Sequence, residues 1–220
     1  MNSKRIIVVV LGGLLALTTR AGASMVRFDF TGTLNVVPAP LAGSFAIGQP
    51  FALSYVFDTN AAQTGGVLLP GGVGYADYPA TAFTAAASTH SISAVAANIR
   101  VTNNYTIDEY NVYPISPPWT VGGVPSGFYH VMTEIVAQDY IAKTALSDTL
   151  LPDDPVDISG MNPRFRLTFV QESNQTAYQV LGDVGHATVT PVPEPVSLSL
   201  LAAGALAVLR RRRRFAPVSV

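Results

Sequence analysis

Between residues 26 and 36 the chain alternates with period two. Val26, Phe28, Phe30, Leu34 and Val36 fall on one side, and Arg27, Asp29, Thr31, Thr33 and Asn35 on the other. Successive side chains of a strand point to opposite faces, so this pattern suits a strand with one buried face and no helix. A second run sets Phe51, Leu53, Tyr55 and Phe57 in one phase and ends on the turn residues Asp58, Thr59 and Asn60. Further strand candidates cover 90–102, 105–113, 127–137, 164–171 and 176–189. Only 139–150 has the makings of a short helix, and no longer stretch keeps a 3.6-residue period. Seven or more strands separated by Gly- and Pro-rich connections predict an all-β fold, an antiparallel β-sandwich of jelly-roll type over 24–190.

Two segments of different chemistry flank that region. Residues 1–23 carry Lys4 and Arg5, then an apolar run over 6–17, then Ala21 and Ala23 before Ser24. A basic start, an apolar run of about a dozen residues and small side chains at the last and third-last positions predict a signal peptide cut by signal peptidase between Ala23 and Ser24. Residues 191–220 read differently. Prolines at 191, 193 and 195 disfavour helix and keep the chain extended around Pro193, Glu194 and Pro195. Fourteen small or apolar residues follow at 196–209, and then Arg210, Arg211, Arg212, Arg213 and Arg214. As a helix the apolar run reaches about 21 Å, short of a hydrocarbon core near 30 Å, which predicts a single short transmembrane helix in transient contact with the inner membrane. The arginines would hold its end in the cytoplasm.

The Pro-Glu-Pro triplet, the apolar run with Gly204 at its centre and the terminal arginine cluster together resemble the PEP-CTERM sorting signal. The resemblance implies export by a Gram-negative bacterium that makes extracellular polysaccharide, and processing by an exosortase. The residues after the arginines, 215–220, run a little longer than the usual ending. The body resembles a recurring PEP-CTERM ectodomain through Phe30-Thr31-Gly32-Thr33, through Gly48 ahead of Tyr55-Val56-Phe57-Asp58-Thr59, and through Leu146-Ser147-Asp148 with Leu151-Pro152. That likeness implies a β-sandwich and brings no catalytic residues with it.

Charge removes one class of partner. All 14 acidic residues, but only five basic ones, lie within 24–195, a net charge of −9. Such a surface repels nucleic acid and favours cations or neutral polar partners. Cysteine is absent, which excludes disulfides, thiolate catalysis and Cys-type zinc sites. His90, His130 and His186 lack ligand spacing and read as ordinary surface or strand residues, and Ser126 lacks the glycine that precedes a nucleophile elbow. Asp153, Asp154 and Asp157 crowd one proline-punctuated loop, read as hydrated, with a calcium site as the alternative. Asp108 and Glu109 are adjacent on a strand and so face opposite ways, which is wrong for a glycosidase pair.

Tyr105, Tyr110 and Tyr113 near Trp119 suit either a packed core or a sugar-stacking surface. The function expected from the sequence is therefore a non-enzymatic, cofactor-free protein of the cell surface or extracellular matrix, with a structural or interaction role in exopolysaccharide or biofilm. A carbohydrate-binding module is the alternative. Its mark is exposed aromatics beside Asn, Gln or Asp on one sheet face. A hydrolase stands third, since no pair of facing carboxylates is evident.

Overall fold

The structure, a computed structural model, describes residues 25–70, 73–103, 107–115, 119–139, 146, 149 and 161–192. Its strands are β1 (Met25–Val36), β2 (Pro50–Asp58), β3 (Gly65–Leu68), β4 (Gly74–Ala87), β5 (His90–Ala94) and β6 (Ala97–Asn103). β7 (Asp108–Pro114), β8 (Trp119–Gly122), β9 (Phe128–Asp139), β10 (Arg164–Gln171) and β11 (Ala177–Pro191) complete the set. Burial alternates along β2, β5 and β7 as period two requires. A 3-10 turn at Ala39–Leu41 is the helical element among the described residues. The compact unit Val26–Thr190 holds the strands but for their outermost residues, Met25 and Pro191, and residues 1–24 and 193–220 lie outside the described residues.

The strands do not form two stacked sheets. Pairing runs β2-β1-β11-β10-β9-β7-β6-β4 and then returns from β4 to β2, so eight antiparallel strands close into a barrel and the expected β-sandwich is wrong. β4 makes the closure. Its first half, Gly74–Ala80, pairs with β6, and its second half pairs with β2 from Ala80 to Ala87. A bulge at Thr81, between Val56↔Ala82 and Phe57↔Ala80, gives the local bend that closure needs. Alternation shows that a strand has a buried face. Whether that face meets a second sheet or the far wall of the same one depends on pairing. The sequence of β4, rich in Ala with Pro79 inside it, reads as a connection by strand propensity. Its alanines are small for a reason: Ala76, Ala80, Ala85 and Ala87 face inward among large rings.

Those rings fill the barrel. Phe28, Phe30, Tyr55, Phe57, Phe83, Tyr110, Phe165 and Phe169 are all fully buried. Phe28 meets Phe57 edge to face at 5.3 Å, and Phe51 stacks on Phe165 at 4.3 Å. Each such side chain contributes roughly 1.5–3 kcal/mol on burial. The Tyr55 and Tyr110 hydroxyls satisfy each other across the interior at 2.5 Å, and burial raises the pKa of both. Phe51 has room only because Gly32 and Gly182 carry no side chain, since a Cβ would come within 2.8 Å and 2.7 Å of its ring. This is a packing reason for the glycine of the Phe30-Thr31-Gly32-Thr33 sequence.

At one end the wall divides. The chain breaks at Val95 and Ala96, and β5 leaves the path of β6 to pair with β8, while β6 stays with β7. Residues 116–118, Ser-Pro-Pro, separate β7 from β8. β9 pairs with β7 only over Ile135–Asp139, so among the described residues its first half pairs with β10 alone. The β8–β9 hairpin is therefore splayed, and side chains fill the opening.

The short helix expected over 139–150 is not seen among the described residues. Asp139 ends β9, and of the rest only Leu146 and Thr149 are described. The transmembrane helix expected at 196–209 finds no support, since no helix among the described residues is long and apolar enough to cross a membrane, and 196–209 lie outside them.

Candidate functional site

The outward positions of β4, β6, β7, β9 and β10 carry a polar array of two neighbouring bonded groups. Registry creates it, because Asp77 stands opposite Arg100, Arg100 opposite Asn111, and Glu134 opposite Arg166. Cross-strand neighbours of this kind lie about 5 Å apart, close enough for side chains to pair. Arg100 grips Asp77 with both arms of its guanidinium, Nε to Oδ1 at 2.8 Å and Nη2 to Oδ2 at 3.0 Å. Asn98 Nδ2 donates to the same Asp77 Oδ1 at 2.9 Å and to the Tyr113 hydroxyl at 3.0 Å. The guanidinium also lies over the Tyr75 ring, 4.7 Å from its centre.

Further round the barrel, Arg166 Nε meets Glu134 Oε1 at 2.7 Å, and Asn111 bonds to Glu134. The Asn111 Oδ1 is buried and accepts no bond. Gln138 donates to Glu109 at the lower edge.

The electrostatics of the face are settled by these pairs. Burial pushes the Asp77 pKa up, but the bonds from Arg100 and Asn98 outweigh it and hold the carboxylate below its ordinary range. Glu134 goes the other way: burial raises it, and Arg166 with Asn111 only partly compensates. Asp77 and Glu134 each have an arginine, while Glu109 at the edge is held by the uncharged Gln138, so the two central pairs are locally neutral on a body of net negative charge. The Arg100 side chain keeps 38% of its surface exposed, which leaves its remaining donors within reach of a ligand. Two tyrosines, paired amide and guanidinium donors and carboxylate acceptors form a surface suited to a neutral, hydroxyl-rich partner.

Other residues singled out by sequence fall elsewhere. Ala21, Ala23, Ser24, Pro193, Glu194, Pro195, Arg210 to Arg214, Asp153, Asp154, Asp157 and Tyr105 lie outside the described residues. The aromatic group divides: Tyr110 is inside the barrel, Tyr113 is on the outer face, and Trp119 turns toward the splayed hairpin. Asp108 is fully buried and accepts the Leu146 amide at 3.1 Å, while Glu109 faces outward, as their adjacency required. Ser126 is exposed in the β8–β9 loop, and His186 is exposed on β11.

His90 and His130 are the residues that sequence reasoning misread. They are not isolated: their rings lie 5.2 Å apart in the splayed hairpin, enclosed by Phe45, Trp119 and Phe169. His90 is 1% exposed, and neither of its ring nitrogens has a hydrogen bond. Backbone groups at Gly122 and Gly123 lie near it without bonding geometry, and burial keeps its pKa below the usual histidine value. His130 Nε2 bonds to Thr133 Oγ1 at 2.7 Å, and its Nδ1 is buried without a partner in bonding geometry, although the Met132 backbone lies near the ring. Burial first, and the nearness of His90 second, lower His130 to about 4. A signal was present. His90 is in phase with Ile92 and Ala94, so it had to face inward.

Two shallow hollows lie on the outer wall farther along β4. One, of about 420 Å³, is lined by Ser54, Thr84, Ser91 and Ser93 with the Arg27–Asp29 ion pair, and the other, of about 700 Å³, adjoins Gly32, Phe51 and His186. The first has no exposed aromatic ring beside its ion pair, and the second has no ion pair. Comparison with protein families, with curated proteins and with solved structures finds no match to this chain.

Proposed function

We propose that this chain is an exported, exosortase-processed protein of the Gram-negative cell surface or extracellular matrix, where the barrel binds exopolysaccharide without chemically altering it. The reading joins the sorting resemblance of the termini to the outer face of the body. What carries the binding part is one arrangement: Tyr75 and Tyr113 border the neutralised Asp77–Asn98–Arg100 cluster on a single sheet face. Both tyrosines are half-buried, and Arg100 covers one face of Tyr75, so they offer ring edges and one free face in place of a fully exposed aromatic row; the reading merges the carbohydrate-binding alternative with the matrix role. The filled barrel interior directs attention outward, because its packed aromatics occupy the space where a small barrel would hold a ligand.

The test is co-sedimentation of the purified protein with extracellular polysaccharide from its own host. Tyr75→Ala and Tyr113→Ala should each weaken binding roughly 2- to 13-fold, the loss expected for one aromatic contact of about 0.5–1.5 kcal/mol. Wild-type protein that stays in the supernatant, or variants that bind as well as wild type, would refute the assignment of this face.

A further inference from the structure

We propose that His90 and His130 together bind one divalent late first-row transition-metal ion, of the zinc, nickel or copper kind, inside the splayed β8–β9 hairpin. Three ring nitrogens there, both on His90 and Nδ1 on His130, are buried with no hydrogen-bond partner. Such orphans are costly in a native core unless something fills their valence. A neutral imidazole that donates from Nε2 presents an unprotonated Nδ1, and the Thr133 hydroxyl, which can accept as well as donate, is compatible with that tautomer in His130. The hydroxyl thus takes the place of an outer-shell partner that orients a metal-binding histidine.

Spacing agrees. Two imidazole nitrogens about 2.1 Å from a tetrahedral ion put the ring centres about 5 Å apart, and the rings here are separated by 5.2 Å.

Among the described residues no third His, Cys, Asp or Glu joins the pair, so the side chains supply two ligands and water fills the remaining positions. Nitrogen-only donors select imidazole-loving ions over calcium or magnesium, which want oxygen. His130 is less enclosed than His90 and provides the way in. Bound metal would tie β5 to β9, which do not pair with each other among the described residues.

The experiment uses tag-free protein with Zn²⁺, followed by equilibrium dialysis and thermal unfolding, on wild type, His90→Phe, His130→Phe and the exposed control His186→Ala. Phenylalanine keeps a ring in each position and removes the ligand. Wild type and His186→Ala should bind one ion and gain about 5–10 °C in midpoint at a hundredfold excess over the dissociation constant, and both phenylalanine variants should gain nothing. Histidine-selective NMR of the wild type, which needs no variant to fold, should show Zn²⁺ shifting two histidine ring signals and leaving the third. No binding, a gain that survives in either phenylalanine variant, or movement of the His186 signal alone would each overturn the proposal. Calcium held by the acidic loop at 153–157 would leave the Zn²⁺ response of the variants unchanged and is separated on that basis.

Discussion

Lowering the pH should loosen the barrel at the splayed hairpin, and replacing His130 with phenylalanine should remove most of that sensitivity. The unfolded chain titrates His130 near the ordinary value of 6.5, and the folded chain holds it at about 4. Between those values the unfolded state binds the extra proton, so stability is full above about pH 6.5 and declines as pH falls toward 4. A shift of about 2.5 pH units corresponds to at most about 3.4 kcal/mol. His130 is partly accessible, and solvent screening brings the expected figure to about 2 kcal/mol. His90 adds in the same direction, because its folded pKa is also lowered by burial. The assay is urea unfolding from pH 4 to pH 7.5 with chelator present. Wild type should lose about 2 kcal/mol more than His130→Phe across that range, and equal losses in the two proteins would show that the hairpin histidines do not govern acid lability.

Two further predictions concern the core. Tyr110→Phe strands the buried Tyr55 hydroxyl and should cost about 1–3 kcal/mol, while the double variant with Tyr55→Phe should recover much of it, read from paired denaturation curves. A double variant no better than the single one would mean that the hydroxyl pair is not what matters. Gly182→Ala should cost about 1–3 kcal/mol by overpacking, because its Cβ falls 2.7 Å from Phe51 and the stack on Phe165 prevents that ring from moving away. An unchanged melting point would show that the sheet yields there.

The strands with clean alternation were legible in sequence. β1, β2, β7, β10 and β11 stand close to where period two put them, and the run at 90–102 was right except that Val95 and Ala96 divide it into β5 and β6. The closure of the barrel was not legible, because it rests on β4, whose alanines and Pro79 suppress the strand signal while fitting the space beside the interior aromatics. The outer face was legible in part. Tyr113 was singled out, but Asp77, Asn98, Arg100 and Tyr75 lie on strands whose registry no local pattern specifies. The pairing of His90 with His130, 40 positions apart, likewise depends on how a hairpin splays, and only the inward phase of His90 pointed to it.

The central claim is that this barrel works outside the cell after both flanking segments have been processed. Intact-mass measurement of the protein recovered from the surface or matrix of its own host tests it most directly. The mass should correspond to a chain that begins at Ser24 and lacks Arg210 to Arg214, with any attached group seen as a defined increment. A surface form that still begins at Met1, or that retains those five arginines, would contradict it.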